Sequence, residues 1–317
     1  MDPQTVDILN RVLPILLLLF LGYWIRRTRF LSDELIEGLR KMVVYLALPA
    51  VLFLSFLQVE LQPSFLVVFF VVFFLCVLLY VLGRLLRPQL APDQTYFPFL
   101  TTGFEYGMLG ISLFASAYGL ENIGYIAVID LGHEIFIWFV FLALLLMTRD
   151  GIQNPGYLFQ SFLKSPVILG ILAGILLNLA GLSQSLADWP ITGGIMAALE
   201  FLAAMTVPLI LIIVGYGIQL NREGFGSASR VVLLRLMILI PLAILLGQIL
   251  IQDLLQLERA FAVALFVLLI LPPPFIVPLF MSQDSLSDRW YVNNVLTLHT
   301  VVTIVVFAFF FILNPTI

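Results

Sequence analysis

Ten apolar segments, each near the ~20 residues that a helix needs to cross hydrocarbon, punctuate this chain. They run over residues 8–25, 36–57, 64–86, 97–118, 122–147, 165–183, 191–219, 230–251, 258–281 and 291–313. Threaded through a bilayer, they place thirteen of the fifteen Lys and Arg on one side. Arg26, Arg27, Arg29, Arg40 and Lys41 cluster around the first connection, and Arg84 and Arg87 follow the third segment. Arg149 and Lys164 bracket the gap after the fifth, Arg222, Arg230 and Arg235 follow the seventh, and Arg289 follows the ninth. Arg11 and Arg259 fall opposite. Lys and Arg collect in cytoplasmic loops, so both termini are expected on the non-cytoplasmic side. One missed segment would reverse the sign of every later loop, so the consistent bias supports ten crossings. Arg235, near the cytoplasmic end of the eighth, is expected to snorkel.

Composition agrees: 62% hydrophobic and 11% charged residues describe a polytopic helical membrane protein, not a soluble enzyme with a large core. Cys76 is the single cysteine, so neither a disulfide framework nor a thiolate metal site is expected, and no cofactor is implied. The first segment reads as a retained helix, because Asp2 and Asp7 precede it and Arg26-Arg27 follow it, the reverse of a signal peptide. The longest connection, 148–164, is too short to fold alone. No Ser-His dyad, His-rich metal motif or phosphate loop suggests an enzyme. The basic residues line one membrane face and indicate no nucleic-acid partner.

The connection divides the chain into five segments plus five, and an odd number per half turns the second half upside down. The expected units are 1–150, a linker at 151–164, and 165–317. Pro14 is followed by Gly22 in the first segment, and Pro166 by Gly174, at the same spacing, in the sixth. Pro49 and Pro208 hold matching places in the second and seventh. Inverted repeats of this kind recur in secondary transporters, with solute sites near the midplane on interrupted helices.

The interruptions are expected in the fourth helix of each half. Segment four carries Thr101-Thr102-Gly103-Phe104-Glu105-Tyr106-Gly107-Met108-Leu109-Gly110-Ile111-Ser112. Three glycines there weaken a continuous helix, each by about 1 kcal/mol against Ala. Segment nine carries Leu271-Pro272-Pro273-Pro274-Phe275-Ile276-Val277-Pro278. Successive prolines remove backbone donors and clash with the preceding turn, so that helix must break. Two breaks crossing at depth would aim half-helix ends at one site. Gly103–Gly107 also fits a close helix contact, and the prolines a rigid kink.

Segment five places Asp130, His133 and Glu134 on one face, able to pass a proton, hold a cation or bridge helices. Glu200 in segment seven and His299 in segment ten, with Asn293, Asn294 and Thr297 beside it, are further intramembrane polar candidates. Asn178, Gln248 and Gln252 read as packing or interfacial residues.

Three segments resemble the auxin efflux carrier family, which includes bacterial permeases and plant PIN-type carriers. They are Tyr45-Leu46-Ala47-Leu48-Pro49, Gly107-Met108-Leu109-Gly110-Ile111, and Leu271 to Met281. The resemblance implies an all-α polytopic membrane protein of ten transmembrane helices. These form two inverted five-helix repeats with crossed, broken helices 4 and 9, as in NhaA-like and bile-acid-transporter-like folds. It also implies elevator-like or rocking transport of small organic anions, and the short connection is similar to that of bacterial members. This chain departs by carrying Glu105 where the family usually has Asn, and Ser112 where it usually has the crossover proline. Either Glu105 is protonated when solute binds, or the solute is cationic, or transport has been lost.

The expected function is a secondary transporter of a small organic solute, a carboxylate or auxin-like acid. The alternatives are a proton- or sodium-coupled cation antiporter, and a transport-inactive sensor or scaffold. The solute site is expected at Glu105, Gly103, Gly107, Gly110, Ser112, Pro273, Pro274 and Pro278. Ion coupling is expected at Asp130, His133, Glu134, Glu200 and His299. The expected partners are the solute, a coupling proton or sodium ion, membrane lipid and, as an option, a second copy in a homodimer. The expected location is a bacterial cytoplasmic membrane.

Overall fold

Residues 3–59, 62–150, 165–218, 225–282 and 285–317 are described by a computed structural model, and among them every regular element is helical. The expected linker at 151–164 lies outside the described residues. In chain order the helices are α1 (Pro3–Thr28), α2 (Asp33–Gln58), α3 (Ser64–Leu90), α4 (Phe97–Thr101), α5 (Ile111–Tyr118) and α6 (Leu120–Arg149). They continue as α7 (Pro166–Leu179), α8 (Ser183–Asp188), α9 (Pro190–Gly217), α10 (Phe225–Leu254), α11 (Arg259–Ile270), α12 (Val277–Phe280) and α13 (Leu286–Leu313). Six of these, α2, α3, α6, α9, α10 and α13, are long and apolar enough to cross a membrane. α1, α7 and the interrupted pairs α4/α5 and α11/α12 fall on the other four expected segments.

The outer surface is apolar. Phe20, Leu66, Phe70, Phe74, Leu176, Phe201, Val305 and Phe309 are all exposed. Water would penalise such a surface, whereas lipid tails match it. This is an integral, multi-pass membrane protein.

Small residues set the closest helix contacts, as lipid-embedded bundles require. A Cβ on Gly22 in α1 would strike the Ile212 carbonyl of α9, and one on Gly215 in α9 would strike the Leu19 carbonyl of α1. α7 meets α2 in the same manner: a Cβ on Gly170 would lie 2.6 Å from Pro49 O, and one on Gly174 2.6 Å from Phe53 O. Asn178 Nδ2 extends that seam by donating to Phe56 O (2.9 Å) and Val59 O (2.7 Å) at the end of α2. α3 packs on α6, where Gly132 abuts the Phe69 carbonyl, and α10 packs on α13. α4 nests against α3 and α11 against α10, so each interrupted helix is held by its chain predecessor.

Candidate functional site

The first interruption follows from local backbone chemistry. α4 stops at Thr101, Thr102 is extended (φ −127°, ψ 168°), and Gly103 turns the chain with φ +69°. Left-handed backbone of that kind costs an L side chain about 1–2 kcal/mol. An ideal Cβ on Gly103 would also lie 2.7 Å from Pro274 Cγ and 3.1 Å from Ile137 Cδ1. The chain re-enters helix through a wide π-type turn, Tyr106–Gly110, in which Gly110 N donates to Glu105 O (3.0 Å).

The second interruption is set by proline. α11 ends at Ile270, and Leu271 is extended (φ −64°, ψ 152°), as expected before proline. Pro272, Pro273 and Pro274 are buried and offer no N–H. Helix resumes only for Val277–Phe280, with Pro278 in its first turn.

Buried carbonyls and amides need partners, and here the two breaks supply them for each other. Phe275 N would serve Leu271 O in an unbroken helix; it donates instead to Glu105 Oε2 (2.5 Å). Phe104 N would serve Leu100 O; it donates instead to His133 Nε2 (2.8 Å). Both released carbonyls are taken by Arg235, whose Nη1 donates to Leu100 O (3.3 Å) and Nη2 to Leu271 O (3.1 Å) and Gly103 O (2.9 Å). Glu105 N donates to Pro272 O (2.8 Å), and Thr303 Oγ1 of α13 to Ile270 O (2.7 Å). Three consecutive carbonyls, 270 to 272, are thus satisfied by three different elements.

Glu105, 8% exposed, caps both re-entrant segments: Oε1 accepts from Met108 N (3.2 Å) and Oε2 from Phe275 N. Converging amides carry partial positive charge, which a carboxylate complements. Asp130 and His133 lie one turn apart on α6, with His133 Nδ1 2.7 Å from Asp130 Oδ1. His133 Nε2 accepts from Phe104 N, so Nδ1 carries the proton and donates to Asp130. The pair is therefore wired to the first break through one backbone amide.

The other expected residues are placed less uniformly. Gly107 leaves room beside Leu48 Cδ1, 3.8 Å from an ideal Cβ, and Gly110 abuts Leu271 Cδ1 at 2.7 Å. Ser112 is buried, and its hydroxyl donates within its own helix to Met108 O (3.0 Å) and Leu109 O (2.9 Å). Glu134 Oε2 accepts from Trp138 Nε1 (2.8 Å), one turn along α6. Glu200 is exposed on α9, away from this cluster. His299 is fully buried on α13, one turn before Thr303, and neither ring nitrogen has a hydrogen-bond partner among the described residues.

Arg235 corrects the sequence reading. It does not snorkel: it is 2% exposed, with its guanidinium carbon 5.3 Å from the Phe104 ring centroid. The orphaned carbonyls of two breaks outbid the membrane surface for this charge. Distance along the segment could not reveal this, although a charged residue inside an apolar run was the available signal.

An apolar-faced helical bundle with a buried, charged meeting point of two interrupted helices is an arrangement that membrane transporters use. Residues 7–155 match the sequence model of a family described as membrane transport protein. An uncharacterized transporter of Methanocaldococcus jannaschii is 26% identical over 227 residues, covering 68% of this chain and 70% of the relative. The N-terminal half of the chain is thus similar to a family of membrane transport proteins, and two thirds of the chain to an archaeal transporter.

Proposed function

We propose that this protein is a secondary transporter that moves a small organic solute, most simply a carboxylate, through the crossing of its two broken helices. The observation that carries the reading is Glu105, whose single carboxylate accepts amides from both breaks. A site that can hold one carboxylate on Met108 N and Phe275 N can hold a solute's carboxylate there once Glu105 is neutralised or turns away. Gly103, Gly107, Gly110, Pro273, Pro274 and Pro278 shape the surrounding backbone. Ser112 contributes through helix geometry, since its hydroxyl is already engaged.

Residues 101–106 and 272–274 are all buried, so solute entry requires one group of helices to move against another. Two inverted five-helix repeats, 1–150 and 165–317, provide such groups. The reciprocal seams support this division: α1 packs on α9 through Gly22, and α7 packs on α2 through Gly174, the glycines that match in the two halves. Both termini lie on the non-cytoplasmic side in this reading, following the Lys and Arg bias.

A second reading, coupling to a proton, is favoured by the Asp130–His133 pair joined to the first break. Glu134 extends that face of α6, while Glu200 and His299 have no bonded link to it among the described residues.

The test is transient current on a solid-supported membrane after reconstitution. Small carboxylates, neutral indoles and cations are jumped in turn, with wild type and Glu105→Gln, at several pH values. A carboxylate-specific current whose apparent affinity changes in Glu105→Gln supports the site. The same current with unchanged affinity moves the site elsewhere. Currents from protons or sodium alone favour the cation antiporter, and silence from folded protein overturns transport in favour of a sensor.

A further inference from the structure

A buried guanidinium is costly unless its charge is spread over good acceptors. Among the described residues no carboxylate pairs with Arg235; its partners are three backbone carbonyls, Leu100, Gly103 and Leu271, and the face of Phe104. Leu100 lies in the last turn of α4, and Leu271 directly follows α11. Carbonyls at a helix end carry partial negative charge. Two such ends and the turn at Gly103 therefore form an oxygen-lined cage for one cation. Broken-helix carbonyls of this kind are the chemistry by which transporters hold sodium.

We propose that Arg235 is a tethered cation: its guanidinium fills the carbonyl cage between the two breaks, joins α4 and α11 to α10, and removes the need for a free metal cation there. The proposal deepens the transport reading and rests on it for its flux consequence, but not for its structural one. Glu105 plays the opposite part, holding the amide-bearing ends that follow the breaks. Of the coupling ions open to this chain, the cage excludes sodium at this position and leaves the proton. Arg235 is a positioning residue, since it touches backbone and not the proposed solute carboxylate site.

The cage should accept a free cation of matching shape once the side chain is removed. Thermal unfolding of purified Arg235→Ala in detergent is compared with wild type in millimolar guanidinium, sodium, potassium and choline chlorides. Arg235→Ala is expected to unfold several degrees lower, and guanidinium, well below denaturing concentrations, to raise its Tm but not that of wild type. In liposomes, solute-driven current is expected to be the same in sodium and choline for wild type. It is expected to fall about tenfold or more in Arg235→Ala, the weight of one charged hydrogen bond, and to recover in part with guanidinium. A wild-type current that needs sodium overturns the proposal, as does a Tm of Arg235→Ala that guanidinium fails to raise. If Arg235→Ala does not accumulate, Arg235→Lys and Arg235→Met carry the test. Lys is expected to hold a Tm clearly above Met, and equal values overturn the role of charge. Absence of any current in wild type would count against the transport reading alone, because the Tm comparison still decides the cage.

Discussion

Gly103→Ala isolates the backbone geometry of the first break without altering any charge. Two costs add. The left-handed φ of +69° penalises an alanine by about 1–2 kcal/mol. The new methyl would lie 2.7 Å from Pro274 Cγ and 3.0 Å from Pro274 Cδ. A proline ring cannot rotate aside, so overpacking adds about 1–3 kcal/mol. The sum is about 2–5 kcal/mol, which at ~2–4 °C per kcal/mol for a chain of this order of size corresponds to a Tm lower by roughly 10 °C. Gly107→Ala is the internal control. Its Cβ would meet only Leu48 Cδ1, at 3.8 Å, and alanine should be neutral or gain about 0.5–1 kcal/mol inside a helical turn. Both variants are measured by size-exclusion thermostability of detergent-solubilised protein. A Gly103→Ala Tm equal to wild type, or a Gly107→Ala Tm lower than that of Gly103→Ala, would refute the assignment of the break and its contact with Pro274.

His133→Ala orphans the Phe104 amide, and the buried donor should cost about 1–3 kcal/mol, read as a lower Tm. Asp130→Asn keeps an oxygen to accept from His133 Nδ1–H, so the fold should persist; a pH dependence of current that survives this change would remove Asp130 from coupling. Gly22→Ala and Gly174→Ala each press a methyl onto an opposing backbone carbonyl and should both lose about 1–3 kcal/mol. Gly38→Ala on α2, with nothing within 4 Å of the new methyl, should lose nothing. An unaffected Gly22→Ala would contradict the close seam between α1 and α9.

Much of the site was legible because proline and glycine act locally. The run Pro272-Pro273-Pro274 forbids helix wherever it lies in the fold, and α11 ends at Ile270, two residues before it. Gly103 occupies the one position of its segment with positive φ. Asp130 and His133 were placed on one face by the 3.6-residue period, and they are bonded there. Arg235 was missed for the opposite reason. Its partners, Leu100, Gly103 and Leu271, are apolar residues or glycine acting through their carbonyls, and a sequence does not display which carbonyls a fold leaves unpaired. Ser112 was expected in the solute site because it stands where the resembled family usually has the crossover proline; its hydroxyl is bonded within its own helix.

The membrane class, the positions of the helical segments and the two places where helix must fail are all set locally along the chain. Each depends on hydrophobic run length or on the covalent limits of proline and glycine, properties that a few neighbouring residues fix. Where the liberated backbone groups go is a matter of the folded bundle: Phe275 N to Glu105, Phe104 N to His133, and both released carbonyls to Arg235. Those pairings join residues up to 170 positions apart. They exist because a buried donor or acceptor without water must find a partner across space, and only the folded bundle brings the two breaks within reach of one carboxylate and one guanidinium.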